Sequence, residues 1–155
     1  MAEEPSVSFH ELSAAAAFLN KATNELKQTI ESLDKSIAAL NIGLVVWIVV
    51  EHHIDPQVEG RYEAEQIGYA KVNGKWCIAL RRVEADDFGP GEVREISAFN
   101  DAPRDLRLRA VEKLPNLIEE LAKKAIETAE TVNKKLQETK AFTSALMQKT
   151  TRGGK

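Results

Sequence analysis

The chain has a single cysteine, Cys77, in 155 residues. One thiol excludes an intramolecular disulfide and any cysteine-rich metal knuckle, and it suits a reducing cytoplasm, the expected location. Aromatic residues are few, with only Trp47 and Trp76 as tryptophans. Both lie in apolar, strand-like surroundings, where an indole is expected to pack in a core rather than stack on a ligand. The longest apolar run, Ile42 to Val50, falls well short of the ~20 residues a membrane-spanning helix needs, so no membrane partner is expected. The start, Met-Ala-Glu-Glu-Pro, is acidic where a secretory signal would be basic and then apolar. Positive charge is not in excess: the formal net charge is -3, which argues against nucleic-acid binding driven by bulk electrostatics. Gly89-Pro90-Gly91 has neither the pattern nor the following lysine of a phosphate loop, and no triad spacing or nucleophile elbow occurs. No cofactor and no enzymatic activity are therefore expected.

What is present is a heptad. Leu12, Leu19, Leu26, Leu33 and Leu40 recur every seven residues, with Phe9, Ala16, Thr23, Ile30 and Ile37 between them. Alternating steps of three and four make an a/d seam on one long helix over residues 8–40. Ser8 and Glu11 form a capping-box pair at its start, and Asn41 and Gly43 supply the stop. The positions flanking the seam are small or neutral (Ser13, Ala15, Asn20, Ala22), not the Glu and Lys of an isolated zipper. The helix is therefore expected inside a hairpin or bundle.

Residues 42–99 change period and read as a β head. Leu44–Val50 is apolar on both alternating faces, the pattern of a central strand, and 52–61 reads as a loop. Asn73-Gly74 between two strand-like runs is a strong hairpin signal. A two-residue turn pairs Val72 with Lys75 and fixes every pair outward from there. Tyr69 then faces Ile78, Ile67 faces Leu80 and Glu65 faces Arg82, all on the Trp76 face. The opposite face holds Gly68, Ala70, Cys77 and Ala79, small enough for a helix to approach. Glu84–Gly91 reads as an acidic loop, and a shorter fourth strand is expected near Val93–Phe99.

Residues 101–148 read as helix capped by Asn100 or Asp101 and either kinked near Pro115 or divided there into two helices, and 149–155 as a disordered tail. Its near-heptad stripe runs through Ile118, Leu121, Ala125, Ala129, Val132, Leu136 and Leu146, widened by Leu117, Ile126 and Phe142. The expected fold is a single α+β domain. Two long antiparallel helices, coiled-coil-like, flank a small four-stranded antiparallel meander sheet. Leu12, Leu19, Leu26, Ile30, Leu33, Ile37, Leu121 and Ile126 form the seam of a homo-oligomer, a dimer being favoured. A compact monomer with both helices across the sheet is the rival arrangement.

Two groups of residues carry weak chemical signals. His52, Asp55, Asp86 and Asp87 could hold a divalent metal, but His52 and His53 are adjacent, and solvent-facing histidines are the simpler reading. Arg81, Arg94, Arg104 and Arg107 could form an anion or ligand face. The stretch from Glu51 to Asp105 also holds twelve carboxylates, enough to pair most of these arginines locally. The leading functional expectation is a non-enzymatic oligomeric binding or scaffold protein with a protein partner. The alternative is a small ligand- or anion-binding domain, enzymatic or not, using the Arg and acidic loops. In element order and size alone, the helix, four strands and matched helix resemble the layout of the alpha-type prefoldin subunit, which implies a coiled-coil chaperone.

Overall fold

The computed structural model describes residues 6–54, 56–57, 59–86 and 89–152. Its elements in chain order are α1 (Phe9–Ala39), β1 (Val46–Ile54), β2 (Arg61–Val72), β3 (Lys75–Asp86), β4 (Gly89–Ala98), α2 (Arg104–Val111) and α3 (Leu114–Arg152). The four strands make one antiparallel sheet in the order β1-β2-β3-β4. The class is α+β. No helix among the described residues is long and apolar enough to cross a membrane.

The helix ends follow local chemistry. The Ser8 side-chain oxygen accepts from the Glu11 amide at 3.2 Å, while the Glu11 carboxylate accepts from the Ser8 amide at 3.2 Å. These two bonds satisfy orphan donors of the first turn reciprocally. At the other end Asn41 and Gly43 take φ of 53° and 63°, the left-handed conformation that stops a helix.

One helical alternative is decided and two expectations are corrected. Residues 101–148 form two helices rather than one kinked helix, broken at Glu112–Lys113, with Pro115 in the first turn of α3, where its missing amide costs nothing. Neither Asn100 nor Asp101 caps α2; both lie in a 3-10 turn, Phe99–Asp101, and Pro103 is the N-cap. Asn100 is used elsewhere, its side-chain amide donating to the Lys27 carbonyl at 3.1 Å and tying that turn to α1. α3 continues helical through Arg152, so much of the tail expected to be disordered is helix; residues 153–155 lie outside the described residues.

The Asn73-Gly74 register is found as expected, from Val72↔Lys75 through Glu65↔Arg82 and on to Arg61↔Asp86. Positive φ at both turn residues, 50° and 80°, matches the type I′ turn whose twist suits a two-residue hairpin. The strands are longer than the sequence suggests. β1 reaches Ile54, β3 reaches Asp86 and β4 starts at Gly89, so the expected loops at 52–61 and 84–91 shrink to short connections.

The expected central strand lies at the sheet edge. Its two apolar faces have separate uses. Val46 and Ile48 pair with Tyr69 and Ile67 and join the core, while Trp47 lies opposite Gly68 on the other face. A Cβ on Gly68 would collide with the Trp47 indole and the Val46 carbonyl, so that glycine makes room for an indole, not for a helix. The helices meet the bulky face instead: Ile30 and Ile37 of α1, Ala110 of α2, and Leu117 and Leu121 of α3 cluster with Ile67, Tyr69, Ile78 and Leu80. α1 packs against β3, and α3 against β1 and β2.

Candidate functional site

Two β-bulges decide which side chains gather beyond the apolar core. In β1 the register runs Ile48↔Ile67 and Val49↔Gln66, then skips to Glu51↔Glu65 and His53↔Glu63. Without the extra residue, His52 would face Glu65's side of the sheet. With Val50 as the extra residue, still packed against the core, the bulge puts Glu51 and His53 there instead, since a one-residue slip flips every later side chain. In β4 a second irregularity puts Glu95 opposite Arg82, with Val93 opposite Val83.

The result is a charged cluster at the end of the bulky face. Glu65 is its centre, 3% exposed although ionisable. Arg109, reaching from α2, donates from Nη2 to both Glu65 oxygens at 3.0 Å and from Nε at 3.3 Å. Its Nε also lies 3.2 Å from Glu51. Arg82 lies between Glu63 (3.2 Å), Glu95 (3.6 Å) and Glu65 (3.9 Å). The His53 Nε2 sits 3.5 Å from Glu65 and 3.8 Å from Glu51. One ligating atom from each of Glu51, His53 and Glu65 lies within 4.8 Å of the other two. A buried carboxylate of this kind is held by opposite charge and hydrogen bonds, and it fixes α2 against the sheet.

A second cluster lies further along the same face. Glu84 accepts from Arg94 Nε at 2.6 Å and lies 3.8 Å from Arg61, while Arg94 also reaches Glu92 at 3.5 Å. Hydrogen bonding to Glu84, then its charge and that of Glu92, raise the Arg94 guanidinium above its ordinary value.

Among the described residues, those singled out from sequence lie apart. His52 turns to the opposite face, its ring edge-on to Tyr62 at 5.8 Å, and Asp86 lies two strands away, opposite Arg61 and Gly89. Asp55 and Asp87 fall outside the described residues. The four arginines are scattered too. Arg81 lies over the Trp47 ring at 4.1 Å and donates to Gln66 at 2.6 Å, with burial lowering its guanidinium pKa. Arg94 is ion-paired, and Arg104 is exposed. Arg107 is buried, and its Nε and Nη1 have no hydrogen-bond partner among the described residues. Trp76 stacks on Tyr69 at 5.4 Å. Cys77 is buried, and burial, followed by the charges of Asp34 and Asp101, pushes its thiol up to about 11, which makes it a poor nucleophile at neutral pH.

Sequence reasoning paired Glu65 with Arg82 but did not join Glu51, His53 or Arg109 to that pair. The usable signal was alternation: an extended β1 places Glu51 and His53 on one side of it and His52 on the other.

Comparison of the chain with protein-family models, with curated proteins and with solved structures finds no match.

Proposed function

We propose that this is a non-enzymatic, oligomeric binding or scaffold protein whose two long helices carry the assembly surface. One observation supports the reading. The apolar stripe of α1 is buried where it crosses the sheet, at Ile30 and Ile37, and exposed beyond it, at Leu12 (58%) and Leu19 (45%). α3 repeats the pattern: Leu117 and Leu121 are buried, whereas Ile126, Val132, Leu136, Phe142 and Leu146 are exposed. Leu26 lies at the transition, half-buried, and Leu33, between Ile30 and Ile37, is half-buried against the same core.

Apolar side chains left solvent-facing along a helix stripe are the kind of surface that association covers. The seam keeps its seven-residue spacing through Leu12 and Leu19, beyond any need of the sheet, and that spacing fits a helix partner in left-handed supercoil. A second copy supplies two such helices with the same spacing, and an antiparallel bundle of α1 and α3 from two chains is the arrangement proposed. The Ala14–Ala17 run of small residues on α1 would then accommodate large residues such as Phe142 of α3. The ligand-binding alternative has less support. The hollow beside the charged cluster, lined by His53, Ile54, Arg61, Tyr62, Glu63 and Glu84, has a volume of about 280 Å³ and few apolar walls, at the low end of small-molecule sites.

The test is light scattering coupled to size exclusion over a dilution series. A dimer at high concentration that dissociates on dilution is expected. A monomer throughout would overturn self-assembly and leave the exposed stripe to a different protein, as the chaperone layout implies.

A further inference from the structure

We propose that Glu51, His53 and Glu65 form a site for a zinc-class divalent cation, with Arg109 as the built-in cation that such an ion displaces. The proposal is independent of the assembly surface and departs from the expectation that the chain uses no metal.

Geometry is the first support. Tetrahedral zinc, with bonds of ~2.0–2.2 Å to imidazole nitrogen and carboxylate oxygen, holds its ligand atoms roughly 3.3–3.5 Å apart. The His53 Nε2 already lies 3.5 Å from one Glu65 oxygen and 3.8 Å from one Glu51 oxygen. Glu65 is fixed in the middle strand between β1 and β3, and the bulge fixes the aim of the two β1 ligands. Small side-chain movements of Glu51 and His53, both about half exposed, would close the set around one ion.

Charge is the second and separate support. The cluster holds four carboxylates, Glu51, Glu63, Glu65 and Glu95, against two guanidiniums, Arg82 and Arg109. Among these acidic and guanidinium side chains, four minus two leaves two negative charges unbalanced. The neighbouring cluster carries a smaller excess, with Arg61 and Arg94 against Glu84, Glu92 and the Asp86 that stands opposite Arg61. Glu51 and Glu65 also stand directly opposite each other across the strands, a placement that costs energy unless a cation lies between them. Arg109 fills that role with one positive charge; a divalent ion would fill it with two.

The donor set selects the metal. One imidazole nitrogen with two carboxylates suits zinc or manganese, whereas calcium and magnesium prefer all-oxygen sets and more ligands. The Arg109 side chain is 43% exposed, so its ion pairs are screened and displaceable. Metal binding would release Arg109 from Glu65 and loosen the hold of α2 on the sheet.

The experiment is calorimetric titration of the metal-free full chain with Zn²⁺, and with Ca²⁺ and Mg²⁺ in parallel, followed by thermal melts. One Zn²⁺ per chain and a higher Tm are expected, with little response to Ca²⁺ or Mg²⁺. His53→Ala should abolish binding, and His52→Ala should leave it intact. Arg109→Gln should bind Zn²⁺ several-fold more tightly, a gain that a purely structural role for Arg109 would not produce. Since Glu65→Gln risks misfolding, Glu51→Gln supplies the carboxylate test and should weaken binding. Absence of saturable Zn²⁺ binding in the wild type overturns the site. Binding that survives His53→Ala assigns the ion to another histidine and overturns it equally.

Discussion

Asp34 shows how one side chain can be both useful and costly. It projects from α1 to the end of β3, where β4 no longer supplies a partner, and its Oδ1 accepts the Ile78 amide at 2.7 Å. Burial raises its pKa from 3.8, the amide bond pulls it back, and Glu31 adds a smaller upward push. A carboxyl raised in the folded state holds its proton more tightly than in the unfolded chain. Its contribution is therefore fully present below about 3.8 and is lost as pH rises through the folded value. Asp34→Asn keeps the acceptor and removes the charge, so its stability relative to wild type should improve between about pH 3 and pH 7 in urea titrations. Asp34→Ala leaves the buried Ile78 amide without its acceptor and should cost about 1–3 kcal/mol near pH 3, and less near pH 7, where it too is spared the buried charge. Equal losses for the two variants would show that the hydrogen bond has no part in stability.

The strands and helices differ in how far the sequence reveals them. The β2–β3 register was legible because two turn residues, Asn73 and Gly74, determine every pair outward from them. The bulges were not, because one extra residue such as Val50 leaves no mark on composition yet decides whether His52 or His53 meets Glu65. The edge position of β1 was hidden for a related reason. Two apolar faces look alike in sequence whether the second is covered by a helix or, as here, brings Trp47 over Gly68. The helix break before Pro115 was half legible: proline marks an interruption, but only packing selects a new helix over a kink. The two glycines give a prediction at this scale. Gly74 has open space and a φ of +80°, so Gly74→Asn should be mild, whereas Gly74→Val should cost at least the ~1–2 kcal/mol of a left-handed L-residue. Gly68 has an ordinary φ but no space, so Gly68→Ala should displace Trp47 and shift indole fluorescence, which neither Gly74 variant should do. Unchanged fluorescence in Gly68→Ala would show that the indole does not rest on that glycine.

At the scale of the whole molecule, a sheet-bound core and two helical extensions share the same apolar stripes. Ile30 is 1% exposed and clusters with the sheet, whereas Leu19, eleven residues earlier on α1, is 45% exposed. Truncation should therefore separate core stability from assembly. Ile30→Ala should cost about 2–5 kcal/mol at any protein concentration, because it leaves a cavity in the core. Leu19→Ala should stay within about 0.5 kcal/mol in dilute protein, where a surface side chain contributes little. At high concentration Leu19→Ala should lower Tm relative to wild type, because a stripe buried between copies links stability to concentration. Leu136→Ala on α3 should behave like Leu19→Ala, and the double variant should weaken association more than either alone. A Leu19→Ala effect as large as that of Ile30→Ala in dilute solution would place the seam inside one chain, with α1 and α3 closed on each other. No effect at any concentration would leave the heptad without a partner helix and would remove the basis of the assembly reading.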